Sequence, residues 1–150
     1  MATNVPGPLE DKEYVGSWFA VELDNGVKGN FTDISGLAIE VEVVEKVDAN
    51  TDTTTRKRPG TAKFGDITLT RTLSGDQAFW AWAMSIRDGE AKYRHDGAIV
   101  LYDIAEKEIG RWTFLSAWPS KWSASDLDIG SDDMMTEEVT LAIEGLKREK

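Results

Sequence analysis

Apolar and polar positions alternate with period two along several short stretches of this chain, and once they recur with the period of a helix. Trp18-Phe19-Ala20-Val21-Glu22-Leu23 is a short apolar run. Asp24-Asn25-Gly26 then supplies turn residues, and Val27 to Ile34 returns as the second arm of a hairpin. After a break at Ser35-Gly36, Ile39-Glu40-Val41-Glu42-Val43 alternates strictly. This predicts a strand with Glu40 and Glu42 on its wet face and Ile39, Val41 and Val43 packed on a second sheet. The alternation slips at Val43-Val44, which predicts a bulge there. Ile67-Thr68-Leu69-Thr70-Arg71 alternates again. Ala98 to Tyr102 and Glu108 to Trp118 predict a hairpin around Glu106-Lys107. In the closing segment, Val139, Leu141 and Ile143 alternate with Glu138, Thr140 and Glu144.

The helical signal lies between these strands, over about Asp76 to Asp88. Phe79, Trp82, Ala83 and Ile86 fall on one helix face, Ser74 and Gln77 have capping-box spacing, and Gly89 is placed to stop the helix. Trp80 and Met84 form a second apolar pair on another side. So small a helix needs two apolar faces only if it is sandwiched or meets a partner. Residues 48–60 carry no apolar periodicity and read as a long polar loop, with the basic cluster Arg56-Lys57-Arg58 near its end. Residues 1–16 read as a flexible arm without a secretory signal, and residues 17–150 as one domain. The expected fold is mainly β, with two packed antiparallel sheets, sandwich- or barrel-like, and one main helix.

Composition narrows the function more than it names it. The 150 residues include 27 acidic and 17 basic side chains, a formal net charge of −10. Binding to duplex nucleic acid or to an anionic membrane wants a basic face, so both are disfavoured. There is no cysteine and only one histidine, which removes thiolate chemistry, zinc–cysteine sites and any multi-histidine centre within one chain. His95, in Arg94-His95-Asp96-Gly97, reads as a surface turn residue. The acidic stretch from Asp126 to Asp132 with Glu137 fails as a calcium loop, because its flanks are not helices and Ser131 stands where glycine is required. Glu40 and Glu42 lack the pocket that would split the pKa values of an acid/base pair. Most of the six tryptophans sit inside apolar periodicity, which favours core or interface over sugar stacking. No catalytic, cofactor or metal residue emerges. The residues alone describe an acidic, β-rich, non-catalytic domain with signs of self-association.

An ordered set of motifs carries the reading further. Arg56-Lys57-Arg58-Pro59-Gly60 followed by Lys63-Phe64-Gly65-Asp66-Ile67-Thr68-Leu69-Thr70-Arg71 resembles a stretch of the contractile-tail tube proteins. So do Phe79-Trp80-Ala81-Trp82 with Asp88-Gly89, the strand from Arg94 to Val100, and Arg111-Trp112-Thr113-Phe114 with Ala117-Trp118-Pro119-Ser120-Lys121-Trp122. Phe19, Val21, Phe31 and Ser35-Gly36-Leu37 match the family's opening, and Glu138 to Leu146 its close. The matches run in order from Ser17 to Leu146. Residues 123–135 depart from the family pattern.

The resemblance implies an inner-tube subunit of a phage-tail-like contractile injection system, related to the type VI secretion tube protein. Such subunits form hexameric rings that stack into a hollow conduit inside a contractile sheath. Implied partners are further copies of the chain, the sheath protein, baseplate and tail terminator proteins, and a lumenal cargo of protein or DNA, with no membrane binding by this chain. Implied localisation is assembly in the bacterial cytoplasm, as part of a particle or virion that is later released. Glu40 and Glu42 become candidates for the lumen wall. Arg56, Lys57, Arg58, Trp80 and Met84 become candidates for contacts between subunits. The alternatives are the tail tube of a contractile bacteriophage passing DNA and, more remotely, a monomeric β-sandwich that binds carbohydrate or hydrolyses a substrate.

Overall fold

The computed structural model describes residues 16–47, 55–125, 128–130 and 134–150. Most of the expected N-terminal arm, part of the 48–60 loop and the acidic stretch around 126–132 lie largely outside these residues.

Ten strands and one helix follow in chain order: β1 (Trp18–Leu23), β2 (Lys28–Phe31), β3 (Asp33–Ser35), β4 (Ile39–Val47), β5 (Thr55–Phe64), β6 (Ile67–Thr72), α1 (Ala78–Arg87), β7 (His95–Tyr102), β8 (Glu108–Ala124), β9 (Thr136–Ala142) and β10 (Gly145–Arg148). Eight strands form one antiparallel sheet in the order β2-β1-β7-β8-β9-β6-β3, with β10 also paired to β8. The pivot is the 17-residue β8. Its first half pairs with β7 and β10, and its second half with β9. The two halves of the sheet share one core, in which Val21, Phe31, Ile99 and Phe114 from one side meet Ile67, Leu69, Val139 and Leu141 from the other. The fold is therefore mainly β with packed antiparallel layers, as expected. The layers are continuous through β8, and the sheet does not close into a barrel.

Helix α1 seals this core with Phe79 and Trp82, both buried. The Trp82 indole donates to the Tyr93 carbonyl at 2.6 Å. The capping box between Ser74 and Gln77 does not form. Gln77 makes no side-chain cap bond, and the Asp76 carboxylate instead accepts from the Ala78 amide at 3.0 Å, so the helix begins two residues late. Its end follows the expected pattern: Gly89 takes φ +78, its amide bonds the Ile86 carbonyl, and the Glu90 amide bonds that of Ser85.

The second sheet is the β4–β5 hairpin alone. Residues 55–60, expected to be loop, are strand. Their backbone pairs with β4 from Val47↔Thr55 to Val43↔Pro59, which needs no apolar periodicity. The bulge falls between Val41 and Val43 rather than at Val43-Val44. The hairpin leaves the body at Gly36, whose φ of +88 and close approach to the Asp66 carbonyl exclude any side chain.

Candidate functional site

The hairpin is where the structure departs furthest from the expected packing, and it carries most of the residues singled out above. Ile39, Val41 and Val43 do not lie against a second sheet. They are 61%, 45% and 60% exposed, because β4 and β5 pair only with each other. With successive side chains on opposite faces, Ile39, Val41 and Val43 share one face with their partners Phe64, Ala62 and Pro59. Glu40 and Glu42 occupy the other face, and Lys63 stands directly across from Glu40. The hairpin is thus an exposed two-stranded ribbon with an apolar stripe near its root.

Charge is sorted along its length. The inner half holds Glu40, Glu42 and Lys63. The outer half holds Lys46, Arg56, Lys57 and Arg58, with Glu45 the sole described carboxylate among them. Arg56 and Arg58 share the face of Glu40 and Glu42, and Lys57 lies on the opposite face, across from Glu45. Long exposed hairpins invite unwanted pairing, and cations and a proline on the strands are the usual guards. Both are present, in Arg56-Lys57-Arg58-Pro59.

Trp80 and Met84 lie elsewhere, on α1. Trp80 meets Trp122 edge-on at 4.8 Å between ring centroids and is still 44% exposed. The second apolar face of the helix therefore has a partner within the chain that covers it only in part. Trp80 and Trp122 line a cleft of about 320 Å³ with Leu73, Gln77 and Glu137.

One cluster was not anticipated. Arg71 and Glu137 are buried charges, directly opposed across β6 and β9 and joined by an ion pair. The other Glu137 oxygen accepts from the Trp122 indole at 3.1 Å. The guanidinium also reaches Asp76 at 3.3 Å and lies over the rings of Phe31 and Phe79. The network bolts the start of α1 to both halves of the sheet. Its signal was available: Arg71 is in phase with Ile67 and Leu69, and Glu137 with Val139 and Leu141, so each charge sits at an inward position.

His95 also departs from expectation. It opens β7, and its ring nitrogen Nδ1 lies 2.7 Å from Asp24, while its ring meets Trp82 edge-on. It is a strand residue joined to the β1–β2 turn, not a free turn residue. Among the described residues no cluster of histidine and carboxylate side chains is arranged to hold a metal ion. No helix there is long and apolar enough to cross a membrane.

An arm with both faces open, set on a well-packed β body, defines a class of protein built to be completed by contact with others. Residues 15–147 match the family of the T4-like virus tail tube protein gp19, and the chain belongs to that family of structural tube proteins. No protein of curated function matches the chain in sequence. Among solved structures it is similar to a chain of the PVC sheath-tube complex of an extracellular contractile injection system in the extended state. The identity is 22%, the TM-score 0.79, and the match covers 98% of this chain and 99% of that one. A chain of the PVC sheath/tube terminator matches at 23% identity and TM-score 0.80, over 93% and 99%. Hcp1 from Flavobacterium johnsoniae matches at 15% and 0.54, over 89% and 95%. These likenesses are of fold.

Proposed function

We propose that this chain is the inner-tube subunit of a contractile phage-tail-like injection system, in which six copies close into a ring and rings stack into a hollow conduit. The observation that carries this reading is the β4–β5 hairpin. Its apolar stripe of Ile39, Val41 and Val43 is exposed in a single chain, and covering it is worth roughly 1.5–3 kcal/mol per side chain. A neighbouring copy in the ring supplies that cover. The opposite face, with Glu40 and Glu42, is then left to the water of the bore. Trp80 and Met84 offer a second contact patch on α1. The family's name equally admits the tail of a contractile phage, and the likeness to tube chains of the PVC particle is what favours the injection system. A sheath protein, a baseplate and a terminator are the partners such a conduit requires, with protein cargo in the lumen. The subunit is made and assembled in the bacterial cytoplasm, takes no cofactor and has no catalytic role. Its contribution is a rigid wall.

The test is the size of the purified full chain by light scattering and its appearance in negative stain. Six-membered rings or tubes with an open lumen are expected as concentration rises. A monomer at every concentration would sink the proposal.

A further inference from the structure

The outer half of the hairpin is a surface that the ring contact just described does not use. We infer that it is a basic strut that seats on the acidic body of a second copy of this chain, beyond the apolar contact at its root. The inference rests on the tube reading and adds a partner surface of stated charge.

The argument begins with position. A nine-residue strand rising about 3.3 Å per residue carries its outer end roughly 30 Å from the root. The apolar stripe occupies the first five residues of β4, so the groups beyond Val43 lie past the reach of that contact. There Lys46, Arg56, Lys57 and Arg58 stand with one carboxylate, Glu45, a net charge of +3. Removing these four cations and one carboxylate from the chain's 17 basic and 27 acidic residues leaves 13 against 26, a remainder of −13. The arm and the rest of the chain are therefore of opposite sign.

The second observation is that these cations have no acidic partner at home. The ion pairs of the body use Arg71, Arg94, His95, Arg111 and Lys147. Lys46, Arg56, Lys57 and Arg58 make no ion pair among the described residues. They lie on both faces of an exposed ribbon, so an acidic surface can approach from either side. A contact in which the arm of one copy meets the body of the next is heterologous, and it propagates instead of closing on itself. That is the kind of contact by which rings stack.

An arm–body contact of this charge is screened by salt over roughly 8 Å at physiological ionic strength. The experiment compares the full chain with R56E/R58E, scoring sedimentable tubes from 50 to 500 mM sodium chloride. Circular dichroism checks that the variant folds, as it should, because the arm lies outside the core. Wild-type tubes are expected to fall at least tenfold across that range. The variant is expected to need at least tenfold more protein to form tubes at 50 mM, with the salt response flattened or reversed. Carbodiimide coupling in tubes mixed from nitrogen-14 and nitrogen-15 protein is expected to join Lys46 or Lys57 to a carboxylate of another copy. Unchanged assembly of the variant with the wild-type salt response would overturn the strut and leave the tube reading standing, as would couplings confined to one copy. Failure of the wild type to oligomerise at all would overturn both.

Discussion

Two strands of this chain are written almost alike and end in opposite surroundings. Ile67-Thr68-Leu69 in β6 and Ile39-Glu40-Val41 in β4 both alternate apolar and polar side chains. In β6 the apolar positions are fully buried under the helix and the facing half of the sheet, whereas in β4 they lie open. Period-two patterning states that a strand will have one dry face. It does not state whose chain supplies the cover. In β6 the cover is intramolecular, and its cost and benefit appear in the stability of one chain. In β4 the benefit is deferred until a second molecule arrives. Body and arm should therefore respond to mutation in different measurements.

The largest difference is expected at the buried charges. Glu137→Ala leaves Arg71 buried without its partner and frees the Trp122 indole, so it should cost about 3–5 kcal/mol in urea unfolding. The double replacement R71M/E137L, which removes both charges, should recover most of that loss. In the arm, Glu42→Ala should change unfolding by less than about 0.5 kcal/mol. A cost under about 1 kcal/mol at Glu137 would mean that the network stabilises little and that the body is not held together as described.

The middle effect separates folding from assembly. V41S/V43S should leave the unfolding of the single chain within about 0.5 kcal/mol of wild type, because neither side chain is covered there. The same change should raise the protein concentration needed for ring formation at least about tenfold, since about 1.4 kcal/mol of lost burial already gives that factor. Analytical ultracentrifugation reads both species. Loss of chain stability without change in assembly would reverse the assignment of the two regions.

Much of the body was legible because its signals are local. The run from Trp18 to Leu23, the turn at Asp24-Asn25-Gly26, the helix face of Phe79 and Trp82 and the Gly89 stop each depend on neighbours within a few residues. The misread parts depend on distant ones. Residues 55–60 form a strand because β4 offers backbone partners, and nothing in Arg-Lys-Arg-Pro-Gly advertises a ladder formed outside any core. The same polar run that hid the strand identified the candidate contact residues, so the site was named correctly in composition and wrongly in conformation. Arg71 and Glu137 were readable as charges in an apolar phase, but only the pairing of β6 with β9 shows that they neutralise each other.

The smallest expected effect lies at the seam where the β1–β2 turn meets β7 and α1. His95 bonds Asp24, Asp24 also accepts the Asp96 amide at 3.3 Å, and Asp96 accepts the Ser116 amide at 2.8 Å. Ser116 holds a positive φ of 52, unusual for serine, at the bend of β8 where its pairing passes from β7 to β9. The chain of bonds thus ties the first turn of the domain to the bend of its longest strand. Its members are only partly covered, so water replaces much of what a mutation removes. His95→Ala should cost about 1 kcal/mol, the net worth of one hydrogen bond, plus a little for the edge contact with Trp82. Because the bend is also held by the pairing of β8 with β7 and β9, the variant should still fold and should form tubes at nearly the wild-type concentration. Unfolding in urea and negative-stain imaging of the same sample decide the matter. A variant that folds normally but no longer assembles would move His95 from the body's internal bracing to a contact between copies, and would place the boundary between the two regions at the β1–β2 turn instead of at Gly36.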